Sequence, residues 1–331
     1  MSDLLRVADL AVTFAVRSRR LRRQRLRVRA VDGVSLTVAP GETLAVVGES
    51  GSGKSTVARA ILRLVRPDAG TVWLDGADVS RYSAREFRKV RASVQMVFQD
   101  PYSSLDPSMT VADSVAEPLE VHTSLTRAAR QRRVAELFDL VGLADHHLHR
   151  YPYEFSGGQR QRIAIARAIA VDPRLVICDE AVSALDVSTQ NQIINLLGDL
   201  RTRLGIGYLF ISHDLAVVRN LADRVAVMYL GRIVEEGPVA RVFSDPAHPY
   251  TKALLTAVPV ANPARQRQRE RVPLLGEVPD ATNPPTGCAF HPRCPFALPV
   301  CATDRPAPVA VPGGGLAACH LLDPPADMPP G

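Results

Sequence analysis

Between the apolar run Thr43–Val47 and a stretch of helical spacing from Thr56 to Val65, the chain reads Gly48-Glu49-Ser50-Gly51-Ser52-Gly53-Lys54-Ser55. This G-x-x-x-x-G-K-[ST] pattern works only where a buried strand runs through a glycine turn directly into a helix, so it commits the chain to an α/β fold. Backbone N–H groups from Gly48, Ser50, Gly51, Ser52, Gly53, Lys54, Ser55 and Thr56 can then form a concave nest for phosphates, at the positive end of a helix. Lys54 sets a charge against the β/γ oxygens, and the Ser55 hydroxyl is a candidate ligand for Mg²⁺. A plain glycine turn does not account for Lys54. ATP and Mg²⁺ are the expected ligands.

A second anion site follows at Phe155-Ser156-Gly157-Gly158-Gln159, ahead of a helix expected from Gln159 to Ala170. Adjacent glycines let backbone lie close against a ligand, Ser156 offers a donor, and the helix dipole points to the same place. Since the first loop already cradles one set of phosphates, this turn is expected to serve a different nucleotide. Leu175–Cys178 is an uninterrupted apolar strand, as in the middle of a parallel sheet, and it ends in Asp179-Glu180. An acid there can hold Mg²⁺ through water, and the next can polarise the attacking water as general base. The strand Val94–Phe98 ends in Gln99, whose neutral amide can sense both Mg²⁺ and water. The strand Tyr208–Ser212 ends in His213, where an imidazole can bond the γ-phosphate. Glu180, His213 and Gln99 are therefore the catalytic candidates, with Ser55, Gln99 and Asp179 the Mg²⁺ ligands. Ser183-Ala184-Leu185-Asp186 is expected along a subunit interface, with Asp186 counted as a nucleotide-site residue. Phe14 reads either as a platform for adenine or as a core aromatic at a strand end.

Composition narrows the setting. The chain has 331 residues and 46% hydrophobic content, enough for one large domain with an appendage. No run approaches about 18 apolar residues, and Met1-Ser2-Asp3-Leu4-Leu5 lacks a signal-peptide layout, so a cytosolic or membrane-peripheral protein is expected. The net charge of +6 is local: Arg17–Arg29 holds eight arginines and no acid, and without them the balance turns slightly negative. The run reads as a solvated hairpin between strands Leu5–Phe14 and Val34–Val38, with contact to anionic headgroups or an acidic partner as its functional alternative. It lacks the interleaved aromatics of a nucleic-acid site, so no nucleic-acid partner is expected. Farther on, Val111–His149 reads mainly helical, and a helix at Val187–Leu204 and a strand at Val225–Leu230 complete the alternating βα order.

In order and spacing, Gly48–Ser55, Gln99, Phe155–Gln159, Asp179-Glu180, Ser183–Asp186 and His213 resemble the ATP-binding cassette (ABC) ATPases over about residues 5–240. The resemblance implies a RecA-like phosphate-loop core with an antiparallel β subdomain, and a helical subdomain around 100–165. It places an ATP-binding domain at 1–245 and a Pro/Cys-rich extension at 246–331. It also implies head-to-tail dimers, in which the Ser156 turn of one subunit closes over the nucleotide of the other. A narrower likeness, to ATPase subunits of oligopeptide, dipeptide and nickel importers, rests on Gln99–Pro107, Tyr151–Gln159, His248-Pro249-Tyr250-Thr251, Gly276–Pro279 and Asn283–Cys288. Ala181 departs from it, since many members have Pro there. This likeness implies an ATP-hydrolysing subunit at the cytoplasmic face of the inner membrane. Its implied partners are a second homologous ATPase in a heterodimer, two transmembrane permeases and an extracytoplasmic substrate-binding protein. Motion is expected to reach the permease through Gln99–Tyr102.

Eighteen of the 26 prolines lie from Pro246 onward, with Cys288, Cys294, Cys301 and Cys319 among them and His291 and His320 nearby. This composition argues against long helices or a central sheet. Cytosolic disulfides are rare, and structural zinc sites normally show closely spaced cysteine pairs. A four-cysteine [4Fe–4S] cluster, which some importers of this group carry, is the leading expectation, with zinc as the alternative and free thiols or disulfides behind both. Cys178, in a buried strand, reads simply as a small core residue.

Overall fold

The sequence's own punctuation sets the alternation of strand and helix in the computed structural model, which describes residues 3–17, 25–100, 104–257 and 276–322. The middle of the arginine run and Pro101–Ser103 lie outside those residues. Two long strands, β1 (Leu5–Arg17) and β2 (Arg25–Val38), lead through the Pro40-Gly41 turn to β3 (Thr43–Val47). The phosphate loop opens α1 (Lys54–Ile61), which ends four residues before the helical spacing does. Arg63 takes a left-handed φ of 55°, and Leu64 and Val65 donate back to Arg59 O, which closes the turn. Next come β4 (Ala69–Leu74), β5 (Ala77–Asp78), α2 (Ala84–Val90) and β6 (Val94–Val97).

The helical stretch is two helices, α3 (Val111–His122) and α4 (Arg127–Leu140), separated by a break at Thr123–Thr126. Thr123 donates its hydroxyl to Leu119 O at 2.6 Å, and Thr126 caps α4 by accepting from Ala129 N at 3.3 Å. Then come α5 (Gly157–Ile169), β7 (Leu175–Asp179), α6 (Val187–Leu204), β8 (Gly207–Ser212), α7 (Leu215–Leu221), β9 (Arg224–Tyr229) and β10 (Arg232–Pro238). The rest is short: α8 (Val239–Ser244), α9 (Pro249–Ala257), α10 (Val300–Thr303), β11 (Val309–Ala310) and β12 (Leu316–Ala317). Among the described residues from Pro246 onward, no helix exceeds nine residues and the two strands are two residues each. No helix among the described residues is long and apolar enough to cross a membrane.

Backbone contacts divide the chain into two units. The first comprises Met1–Arg6, Leu36–Ala45 and Thr71–Leu221. Its sheet runs in the order β3-β8-β7-β6, and β6, β7 and β8 pair in parallel, with Val97 opposite Cys178 and Cys178 opposite Phe210. Every residue of β7 and β8 is buried, so these strands carry continuous apolar runs rather than alternation. The helix α5 packs on α3, α4 and β6, burying Ile163, Ile165 and Ile169. Each such side chain stabilises the unit by roughly 1.5–3 kcal/mol.

The second unit comprises Val7–Ser35, Val46–Gly70 and Ala222–Gly331. It holds most of β1 and β2, which neighbour each other, the phosphate loop with α1, and a sheet in the order β11-β12-β10-β9 followed by the end of β3. Here β9, β10, β12 and β11 pair antiparallel. A register shift between Ile233 and Glu235 brings Glu235 opposite both Val227 and Ala317. Glu235 is fully buried, and Arg241 of α8, itself buried, forms an ion pair with it.

Candidate functional site

In the second unit the phosphate loop leaves β3 at Gly48 with φ 154° and enters α1 from Gly53 with φ 105°. A Cβ on Gly48 would come within 2.1 Å of Met228 O, and one on Gly53 within 2.1 Å of Ala30 O. Both positions therefore require glycine for space as well as for backbone conformation. The Lys54 ammonium is buried and donates to Gly48 O at 2.8 Å and Glu49 O at 2.9 Å. It thus lies against the arch of its own loop, where charge-assisted bonds hold it ready for an anion. Ser52 O in turn accepts from Gly231 N at 2.8 Å. Phe14 is 39% exposed on β1, so it is not a core aromatic.

In the first unit, Asp179 closes β7 as a buried carboxylate. Glu180 follows with a left-handed φ of 49°, its N–H donating to Ile211 O at 3.0 Å, and this bend carries its side chain past the end of the strand. Gln99 Nε2 donates to Glu180 Oε2 at 3.0 Å, and His213 Nδ1 stands 3.4 Å from the same oxygen. Three residues placed at strand ends by sequence reasoning are thus one constellation around a single carboxylate oxygen. The Glu180 side chain is 15% exposed and that of His213 55%, so the group opens to solvent on the histidine side.

The Ser156 turn, also in the first unit, is organised differently from the sequence expectation. Ser156 Oγ accepts from Gln159 N at 3.4 Å, and Gln159 Oε1 accepts from Ser156 N at 3.0 Å, so the pair forms a capping box. The helix therefore begins at Gly157, two residues earlier than the pattern indicates. Packing also favours glycine at Gly158, where a Cβ would sit 2.4 Å from Thr189 Cγ2, whereas one on Gly157 would lie 3.3 Å from Leu185 Cδ2, a side-chain end that can give. Asp186 caps α6, accepting from Thr189 N at 3.0 Å and from Thr189 Oγ1 at 2.7 Å. Those bonds hold its carboxyl below the usual carboxylate range.

The cysteine tail does not bear out the [4Fe–4S] cluster or its zinc alternative. All four tail cysteines are free, and among the described residues no group of three or more His, Cys, Asp or Glu side chains is arranged to hold a metal ion. Burial raises the Cys288 and Cys294 thiols above their ordinary range and pushes Cys319 up to about 11. His291 Nδ1 and His320 Nε2 face the carbonyls of Cys288 and Asp304 at 2.9 and 3.0 Å. Protein contacts hold the tail instead, beginning with Cys288 N donating to Cys301 O at 2.9 Å. Cys178 behaves as expected, buried in β7 with its thiol pushed up to about 12 by desolvation.

The profile of the ABC transporter family matches residues 31–183, and that of the oligopeptide/dipeptide transporter C-terminal region matches residues 234–301. Over 327 residues the chain is 52% identical to the probable peptide ABC transporter ATP-binding protein y4tS of Sinorhizobium fredii, covering 98% of this chain and 92% of that protein. The chain belongs to the ABC transporter ATP-binding proteins. It is also 50% identical over 307 residues to the oligopeptide transport ATP-binding protein OppF of Salmonella typhimurium, covering 92% of each. The dimeric post-hydrolysis state of the ATP-binding cassette MJ0796, bound to ADP and Pi, matches with a TM-score of 0.64 at 28% identity, covering 71% of this chain and 98% of that one. This ABC protein is thus an ATPase by family, with a cassette fold of mixed α and β structure. Sequence reasoning gave no role to Glu49, Glu235, His248, Tyr250 or Arg293. The only signal was the likeness at His248–Thr251 and a glutamate inside the phosphate loop.

Proposed function

We propose that this ABC protein is the ATP-hydrolysing, energy-coupling subunit of a binding-protein-dependent importer of di- and oligopeptides, seated at the cytoplasmic face of the inner membrane. One observation carries the reading: a cassette and an oligopeptide/dipeptide-type C-terminal region occur in one chain, with about half of all residues identical to peptide-transport ATP-binding proteins along nearly its whole length. The cassette is taken as residues 1–245, with its helical part around 100–165, and the extension as 246–331. Its partners are two transmembrane permeases, an extracytoplasmic binding protein and a second, homologous ATPase in a heterodimer.

The glycine loop suits phosphate, because Gly48, Gly51 and Gly53 put no side chain on it and the Lys54 ammonium lies against its arch. Lys54, with the amides of Gly48–Thr56, binds the triphosphate, and Phe14 supports the adenine. Ser156, Gly157, Gly158, Gln159 and Asp186 serve the nucleotide of the partner ATPase. Ser55, Gln99 and Asp179 offer hydroxyl, amide and carboxylate oxygens, the donor set that a hard cation takes. Mg²⁺, when bound by these residues, neutralises phosphate charge and orients the γ-phosphoryl group. Glu180 accepts the proton of the attacking water. Gln99 fixes the orientation of that carboxylate by its 3.0 Å bond. His213, on the open side of Glu180, helps place the water and bonds the γ-phosphate.

The test is reconstitution in liposomes of the two ATPases and the two permeases with the binding protein. Phosphate release that rises with oligopeptide, and labelled peptide accumulating only with ATP, is expected. Stimulation by nickel ion or another small solute, with none by peptides, would overturn the peptide assignment.

A further inference from the structure

Three groups converge on Glu49 within the phosphate loop. Arg293, in the tail turn His291–Arg293, sets Nη1 2.7 Å and Nη2 3.1 Å from the two oxygens of the Glu49 carboxylate. Tyr250, in the first turn of α9, accepts the Glu49 N–H on its hydroxyl at 3.0 Å. Within the loop, Lys54 Nζ donates to Glu49 O at 2.9 Å. One residue of the loop thus has its side chain, its N–H and its C=O all engaged. Two of those partners come from the C-terminal region.

The holders are themselves fixed. Arg293 is 5% exposed and Tyr250 fully buried. Tyr229 lies 4.6 Å from Tyr250 and 5.3 Å, edge-on, from Phe290, with ring centroids as reference points, and the Arg293 guanidinium stands 5.9 Å from the Tyr229 ring. A two-point carboxylate–guanidinium pair in such surroundings is strong and directional, so it dictates where Glu49 sits. Affinity for phosphate depends on how well the loop's N–H groups are aimed before the ligand arrives, since ordering them on binding costs free energy. The Glu49 carbonyl is also one of the rests of Lys54, so its orientation sets the position of that ammonium.

We propose that Arg293 and Tyr250 are positioning residues for the phosphate loop, through which the C-terminal region sets the nucleotide affinity of the cassette. This rests on the reading that ATP binds at Gly48–Ser55. Neither residue touches nucleotide; both act through Glu49.

The experiment measures the Kd of a fluorescent ATP analogue with Mg²⁺ on the full-length subunit, and KM and kcat for phosphate release in the assembled transporter. Arg293→Met and Tyr250→Phe each raise Kd and KM about three- to thirtyfold, while kcat at saturating ATP stays within about twofold. Arg293→Lys, which keeps the charge without the fork, recovers part of the loss. Tyr250→Phe removes only a hydroxyl and keeps the ring cluster, so it decides the matter if Arg293→Met does not fold. Unchanged Kd in the folded variants, or a fall confined to kcat, overturns the inference. The two readings separate through Lys54→Ala: if that variant loses binding while Arg293→Met and Tyr250→Phe keep it, only the positioning role is refuted. A wild-type subunit that does not bind the analogue refutes both.

Discussion

Glu235→Ala removes an acidic side chain that the structure buries completely. Its Oε1 accepts from Arg241 Nη1 and from Ala247 N, the latter at 2.9 Å, and its Oε2 accepts from His248 N at 2.9 Å. Taking away one member of a buried ion pair costs about 3–5 kcal/mol, because the other charge remains without its counter-ion. Arg241 retains Gly314 O and Glu236 O, each at 3.1 Å, which holds that charge share near the lower end of the range. The buried His248 N–H also loses its acceptor, at about 1–3 kcal/mol, whereas the half-buried Ala247 N–H can turn to water. The net loss is about 4 kcal/mol, or a fall in Tm of roughly 10 °C for a cooperative unit of 150–250 residues. The assay is differential scanning calorimetry of the isolated subunit without nucleotide. The double variant Glu235→Ala/Arg241→Met should recover the charge share and melt above Glu235→Ala alone, since no buried charge is then left over. A fall of less than about 2 °C in the single variant, or a double variant that melts lower still, would refute the reasoning.

Glu180→Gln keeps the shape of the side chain and an oxygen for the Gln99 bond but removes the base. Phosphate release should fall about 10²–10⁴-fold with nucleotide affinity unchanged, and a fall under about tenfold would count against the assignment. Gly53→Ala forces a Cβ to within 2.1 Å of Ala30 O at a φ of 105°, so nucleotide binding should be lost; wild-type affinity by equilibrium titration would contradict it. Burial depresses the His248 pKa from its ordinary 6.5 to about 3, and its Nδ1 accepts from Tyr250 N at 3.0 Å, which requires the neutral ring. Its contribution to stability is therefore complete above about pH 6.5 and falls by about 1.4 kcal/mol per unit as the pH drops toward 3. Between pH 6.5 and 5, urea midpoints of His248→Asn should vary less than wild type, and parallel curves would remove His248 as the cause.

Much of the site's local form was legible because it is encoded within a few residues. Gly48 and Gly53 are demanded by the turn between a buried strand and a helix, and an acid at the end of an apolar run, as at Asp179 and Glu180, marks the end of a parallel strand. Boundaries were less legible. The helix α1 ends at Ile61, where Arg63 turns left-handed, and α5 starts at Gly157, because Gln159 reaches back to Ser156. Neither event alters the apolar period. The tail misled in a different way. Four cysteines with two histidines nearby suggested a metal site, but whether such side chains come together as a ligand set is decided by how the chain folds, and among the described residues they do not.

By itself, then, the sequence determined the α/β class, the two glycine turns and the acids and amide that end strands, since each depends on contacts between neighbours in the chain. Tertiary structure alone decided that Gln99, Glu180 and His213 share one oxygen. It also decided that Arg293, 244 residues away, grips Glu49, and that Glu235 lies buried beneath Arg241. Those outcomes depend on which surfaces are brought out of water together. Charge and hydrogen-bonding capacity can be read residue by residue, but the partner that makes a buried charge tolerable comes only from the packing of distant segments.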